Sequence, residues 1–449
     1  MQILKLTKKY ETYPEYKDSG VEWLGKVPKD WEISKARKFI SQIEPGIWGD
    51  DPKQDSNDIK CLRVADFDFD KLAYKDVETI RNYPNIPSKK ILKKNDILIE
   101  KSGGGEKQPV GRAIIFNSDE IMTCANFIDI VRVKKEILPR FFTYQLYAAY
   151  ASKLNLKSIK QNTGIQNLDI FSYFNEMYLV PTHIQQIKMA KYLDEKTSLI
   201  DQIIERKQKL IELLREKRTA AINHSVTKGL DPKVELIESR IDWIGQIPKG
   251  WKIEKMKFLA KTPLQYGANE AALDDNRLNP RFIRITDIDE DGDLREDTFK
   301  SLSQEIAKPY LLNDGDVLLA RTGATVGKTF KYKINWGLCC FAGYLIKISV
   351  NENKISSDYL KYITESDYYW EWINSIFIKS TIQNVSAEKY KEFLVLFPSK
   401  NEQFEICNYL NEKIKKFDKA IKNVKKTVEI LQEFKSSLVS SVITGKIKI

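Results

Sequence analysis

Two long stretches of the chain place apolar residues in alternating steps of three and four, without a helix breaker. From Ile414 the series runs Ile414, Phe417, Ile421, Val424, Val428, Leu431, Leu438 and Val442, with Lys435 filling one step. That spacing is the seam of a coiled-coil helix, because a repeat of about 3.5 residues keeps every apolar side chain on one face. An earlier stretch carries the pattern less cleanly through Ile200, Ile204, Ile211, Leu214 and Ala221, interrupted by Lys207 and Arg218. Gly229 and Gly445 stand where each helix should stop, since glycine adopts the left-handed C-cap conformation without a steric penalty. About 40 helical residues at about 1.5 Å each span on the order of 60 Å. A seam of that length must be buried. Each predicted helix is the other's natural partner, packed antiparallel with a globular domain at either end.

Elsewhere the period shortens. Apolar runs at 97–100, 113–116, 127–133, 317–320 and 344–350 predict short strands among turn residues. These runs belong to an internal repeat. Trp23, Pro28 and Trp31 recur as Trp243, Pro248 and Trp251, each 220 positions on. Leu62-Arg63-Val64-Ala65-Asp66 resembles Ile283-Arg284-Ile285-Thr286-Asp287, and Asn95-Asp96-Ile97-Leu98 resembles Gly315-Asp316-Val317-Leu318. Later, Gln166-Asn167 pairs with Gln383-Asn384, Pro181 with Pro398, Gln186 with Gln403, and Tyr192-Leu193-Asp194-Glu195-Lys196 with Tyr409-Leu410-Asn411-Glu412-Lys413, at an offset of 217. The predicted fold is therefore α+β, a pseudo-twofold tandem repeat of two globular domains separated by two long antiparallel coiled-coil helices. The expected segments are an N-terminal arm (1–15), a first globular domain (16–180), a central helix with linker (181–235), a second globular domain (236–397) and a C-terminal helix (398–449).

Composition narrows the class. With 42% hydrophobic and 30% charged residues, the chain reads as a globular protein of two or more domains. No apolar run approaches the roughly 20 residues of a membrane span, and 1–10 lacks the apolar core of a signal peptide. Five Cys without a CxxC pair argue against disulfides and zinc, and for a cytoplasmic setting without metal or cofactor. Lys and Arg exceed Asp and Glu by 73 to 62, a charge of +11, which suits a polyanionic partner.

Taken together, the Trp-Leu-Gly-Lys-Val-Pro-Lys-Asp-Trp motif (23–31), the Gly-Asp-Val-Leu-Leu-Ala-Arg-Thr-Gly segment (315–323), the Gln-Asn turn, the Pro-led approach to a helix (398–403) and the terminal Val-Ile-Thr-Gly-Lys (442–446) resemble the specificity subunits of type I restriction–modification systems. The resemblance covers nearly the whole chain. It implies a non-catalytic subunit whose two target-recognition domains read a bipartite double-stranded DNA site. It further implies that the long helices space those domains and dock two methyltransferase subunits, with restriction (motor) subunits joining for cleavage. The first copy departs from the family pattern where Glu100-Lys101-Ser102-Gly103-Gly104-Gly105 replaces Ala320-Arg321-Thr322-Gly323.

Catalytic readings find little support. Gly323-Ala324-Thr325-Val326-Gly327-Lys328-Thr329 falls one residue short of a P-loop, and Phe330 onward reads as strand rather than the helix that would hold phosphates. The chain has no Asn/Asp-Pro-Pro-Tyr/Phe motif of an amino-methyltransferase, and only His183 and His224 as histidines.

DNA reading needs Arg, Lys, Asn or Gln at base edges and small polar or basic groups on phosphates. The first copy offers Lys101, Ser102, Gly103, Lys107, Gln108 and Arg112, then Lys160, Asn162 and Thr163. The second offers Arg321, Thr322, Thr325 and Lys328, then Lys379, Ser380, Thr381 and Gln383. The four repeated Trp residues are expected to pack, whereas Tyr369, Trp370 and Trp372 are candidates for a DNA or partner surface. The alternative from another class is a coiled-coil scaffold joining two protein-binding domains without nucleic acid.

Overall fold

A computed structural model describes residues 10–162, 164–241, 243–289, 292–377 and 384–449. Helix and strand are mixed. The chain divides into two compact units, Met1–Lys209 with Lys425–Ile449 and Leu210–Val424. The division falls inside both long helices, His183–Lys228 and Lys400–Ile443, here the central and C-terminal helices.

The first unit is built on a four-stranded antiparallel sheet in the order Ala113–Ile115, Ile97–Glu100, Ile128–Val133, Ile40–Pro45. The second repeats it with Thr329–Lys331, Val317–Ala320, Leu345–Ile348, Gln265–Tyr266. Beside each sheet lies a parallel pair, Asp58–Leu62 with Met122–Cys124 and Arg281–Ile283 with Cys339–Phe341.

The central strands are apolar throughout because both faces are covered. Ile97 and Ile99 enter one core and Leu98 another. In the second unit Val317 and Leu319 face one core while Leu318 and Ala320 face another. Truncating a residue such as Leu98 to Ala leaves a cavity and costs about 2–5 kcal/mol.

Each globular part grips a long helix by the same device. Gln186 and Gln403 are buried at the first turns of their helices. Gln186 accepts from the Leu138 amide at 2.8 Å and donates to the Pro181 carbonyl at 3.0 Å. Gln403 accepts from the Ser356 amide at 2.9 Å and donates to the Pro398 carbonyl at 3.0 Å. A primary amide donates and accepts at once, which is why glutamine recurs here.

The helices end at Gly229 and Gly445, with φ of +79° and +72°. Each glycine meets the second Trp of an opening motif. A Cβ on Gly229 would press on Trp251 and one on Gly445 would collide with Pro28 and crowd Trp31. In the first unit, then, the tail of the second copy closes onto the start of the first, and the Tyr16 hydroxyl donates to the Gly445 carbonyl at 3.0 Å.

Within each unit the two helices run antiparallel, tied by equivalent ion pairs. Lys435 reaches Asp201 at 2.6 Å in the first, and Arg218 reaches Asp418 at 3.1 Å in the second. Residues 201 and 418, like 218 and 435, are 217 apart, so the pairs are repeat-related. Two of the three cations in the seams, Arg218 and Lys435, thus find carboxylates on the facing helix. Of the seam residues, Ile200, Ile211, Ile414, Leu431 and Leu438 are buried, while Ile204, Leu214, Ala221, Phe417, Ile421, Val424 and Val428 are half-buried. Toward their ends the helices enter the domain cores through Met189, Leu193, Val439 and Val442 in the first unit and Ile222, Val226, Ile406 and Leu410 in the second.

Candidate nucleic-acid interface

Each copy builds the same corner from three segments. In the first, the Lys101 amide donates to the Phe127 carbonyl at 2.9 Å, the Gly111 amide to the Glu100 carbonyl at 2.9 Å, and the Glu100 amide to the Arg112 carbonyl at 2.8 Å. In the second, Arg321 donates to Tyr344 at 3.0 Å, Gly327 to Ala320 at 2.9 Å, and Ala320 to Lys328 at 2.8 Å. Gly111 and Gly327 turn the loop back with φ of +110° and +87°, a conformation that a Cβ would strain. The third segment seals the corner, with Leu168 donating to the Lys101 carbonyl at 2.7 Å and Val385 to that of Arg321 at 2.9 Å. Ser102 and Gly103 pair with Asn167 and Gln166, and Thr322 bridges Asn384. Gln166 is buried and serves this frame.

The side chains on the two corners differ. Lys101 is drawn to Asp129 at 2.8 Å. Burial pushes the Asp129 carboxyl above its usual range, and the Lys101 ammonium opposes that shift. The Ser102 hydroxyl bonds the Asn167 side chain. Gly103, Lys107 and Gln108 are exposed, and they share an open cleft of about 670 Å³ with Arg112 and Phe127. Arg112 itself is held inward by Glu100, at 2.8 Å and 3.1 Å, with its guanidinium 3.7 Å from the Phe69 ring centroid. Lys160 is exposed and pairs with Asp169 at 2.6 Å, and Asn162 ends the strand Ile159–Asn162.

In the second copy Arg321 lies over the Tyr266 ring at 4.7 Å. Thr322 and Thr325 are half-buried, and Lys328 is exposed with no ion pair among the described residues. Thr163, Lys379, Ser380, Thr381 and Gln383 lie outside the described residues. Thr329–Lys331 is a strand paired with Val317–Ala320, so no helix N-terminus stands behind 323–329 to hold a nucleotide phosphate.

The aromatic expectations divide. Trp31 and Trp251 are buried, and Trp23 packs on Tyr178 while donating to the Met177 carbonyl at 3.2 Å. Tyr369, expected near a surface, is instead fully buried with its hydroxyl on the Gly327 carbonyl at 2.8 Å. Helix Asp367–Phe377 is amphipathic and turns that ring into the core. The residues that inspection of the loops passed over are Glu100, which retracts Arg112, and the exposed rings of Phe127 and Tyr344.

A larger cleft of the first unit, about 1310 Å³, lies elsewhere, against the central helix. Asp68, Asp70, Asp76, Asp194, Asp201 and Glu205 outnumber the cations on its wall, the wrong balance for a phosphate backbone. Among the described residues no group of three or more His, Cys, Asp or Glu is placed to hold a metal ion, and no helix is long and apolar enough to cross a membrane. Burial pushes the adjacent thiols of Cys339 and Cys340 up to about 12, which removes them as nucleophiles.

Residues 252–432 match the family described as type I restriction modification DNA specificity domain. The chain is similar to the type I restriction enzyme MjaVIII specificity subunit of Methanocaldococcus jannaschii, 23% identical over 439 residues that cover 94% of each. It is also similar to the StySPI specificity subunit of Salmonella potsdam, 22% identical over 361 residues, covering 78% of this chain and 74% of that one. Among solved structures, a chain from a type I R-M system studied for its assembly and conformational transition superposes with a TM-score of 0.68 over 93% of this chain and 98% of its own, at 14% identity. That likeness carries the fold. The sequence relatives are named as specificity subunits, not as methylases or nucleases.

Proposed function

We propose that the chain is a specificity subunit of a type I restriction–modification system, the non-catalytic DNA-recognition member of such an enzyme, and that it reads a bipartite double-stranded DNA target, one half-site per unit. The observation that carries this reading is one corner built twice on equivalent backbone hydrogen bonds, with different side chains on each. A shared frame supplies the same approach to the phosphate backbone, and divergent loops supply two different sequences to read. The long helices set the distance between the half-sites and dock two methyltransferase subunits, and restriction subunits join that complex in the cytoplasm. DNA-contact candidates are Lys101, Ser102, Gly103, Lys107, Gln108, Lys160 and Asn162 in the first unit, and Arg321, Thr322, Thr325 and Lys328 in the second. Arg112 acts through Glu100 as part of the loop's frame.

Co-expression with a type I DNA methyltransferase subunit tests the reading. The expected result is a stable complex that binds duplex DNA with an affinity falling steeply as salt rises, because neutralised phosphates release counterions. No DNA binding at any ionic strength, with the partner present, would leave the protein-binding scaffold as the better account.

A further inference from the structure

Phe127 and Tyr344 are 51% and 64% exposed, and they stand 217 positions apart. Each is the third residue of a four-residue turn closed by one hydrogen bond, Ile128 amide to Ala125 carbonyl at 3.0 Å and Leu345 amide to Ala342 carbonyl at 2.9 Å. The carbonyls of Phe127 and Tyr344 themselves accept the amides of Lys101 and Arg321, the cations that open the Gly-containing loops. The backbone under the ring is therefore pinned from two sides, while the ring itself stays in solvent. The strands that follow, Ile128–Val133 and Leu345–Ile348, bury their own apolar residues and need no large side chain at the preceding position.

A rigid exposed aromatic beside a cation and a glycine backbone is the composition of a nucleic-acid contact, since every base presents a π-face and every phosphate a charge. In the first unit Phe127 lines the same cleft as residues 102–108. We infer that Phe127 and Tyr344 are the twin DNA anchors of the two units, each ring lying against a base or a thymine methyl of its half-site. Phe127 offers only an apolar face. Tyr344 adds a hydroxyl that has no hydrogen-bond partner among the described residues, so it can also bond a base edge. The two half-sites then differ at the positions these rings meet.

The inference rests on the DNA-reading function proposed above, and one experiment separates the two. The full chain with a co-expressed methyltransferase subunit selects a consensus from random-sequence duplex DNA. Phe127→Ala, Tyr344→Ala, Tyr344→Phe and Ile121→Ala are then titrated on it, after melting curves establish that each folds as the wild type does. Phe127→Ala and Tyr344→Ala should each weaken binding on the order of tenfold, relaxing base preference in one half-site only, and a different one for each. Tyr344→Phe should keep the affinity of the ring and lose the preference of the hydroxyl. Ile121 is 65% exposed just before the strand Met122–Cys124, and Ile121→Ala should bind as the wild type does. Unchanged affinity and consensus for both ring deletions would overturn the inference while the DNA-reading function stands, as would an equal loss for Ile121→Ala. A wild-type chain that selects no consensus would overturn the function and the inference together.

Discussion

In the first unit Glu100 and Arg112 face each other across a strand pair as a buried ion pair, and in the second the same backbone positions hold Ala320 and Lys328. The flanking hydrogen bonds agree to within 0.1 Å, with Gly111 and Gly327 each donating at 2.9 Å and Glu100 and Ala320 each at 2.8 Å. Only the side chains differ, and they differ together. Where the loop has an acid behind it, the cation is drawn in and stacked on Phe69. Where alanine stands instead, the cation is left in solvent. The duplication has preserved a frame and made the charge on it a variable, which fits the proposed reading of two different half-sites.

The largest effect should come from breaking the buried pair. Glu100→Ala strands the Arg112 guanidinium, whose side chain is 12% exposed against 2% for Glu100, and should cost about 3–5 kcal/mol in denaturant unfolding. Adding Arg112→Lys, which copies the second unit, should recover more than half of that loss, because a flexible ammonium can reach water as Lys328 does. A double variant no better than Glu100→Ala alone would show that the two corners are not interchangeable.

Lys435 and Asp201 are 6% and 18% exposed, Arg218 and Asp418 27% and 51%. Lys435→Met should therefore cost about 3 kcal/mol and Arg218→Met about 1 kcal/mol or less, since water screens the more open pair. The reverse order would contradict the burial argument.

Lys328→Ala should leave stability unchanged and lower the slope of log affinity against log salt by about 1. An unchanged slope would place Lys328 away from the DNA backbone.

The smallest effect concerns Glu392, which bridges Lys255 and Lys257 where the first copy has Asn175. Hydrogen bonds from those lysines hold its carboxyl down at about 2, from a usual 4.5. A depressed carboxylate stabilises above its unfolded value, and the contribution fades as pH falls toward the folded one. Glu392→Asn should melt slightly below the wild type at pH 7, and the gap should close between about pH 4.5 and 2. A gap that persists at pH 2 would assign the effect to something other than charge.

Both long helices were legible in the sequence because an unbroken three–four pattern and a terminal glycine are local signals. The central strands at 97–100 and 317–320 were legible because the repeat showed the run twice, whereas the edge strands Ile40–Pro45 and Gln265–Tyr266 and the parallel pairs carried no run that was read. The ends of the helices were harder to read. Ile222, Val226, Ile406 and Leu410 join the core of the second domain, and none of them was read as a seam position. Arg112 read as a loop cation because its partner, Glu100, lies 12 residues away across a turn, a separation that only the fold closes. Phe127 and Tyr344 were each absorbed into the strand that follows. Their signal was available in the repeat, as two aromatics at one offset directly before two apolar runs. Tyr369 was misplaced because aromatic richness alone does not reveal which face of a helix is buried.

If this chain chooses the sequence at which a methyltransferase acts, its removal must change where host DNA is modified. Sequencing methylated bases in host DNA, with and without the chain, tests it most directly. Methylation is expected at one split motif that disappears when the chain is removed, and that changes in a single half when Phe127 or Tyr344 is replaced. Methylation unaltered by the loss of the chain would contradict it.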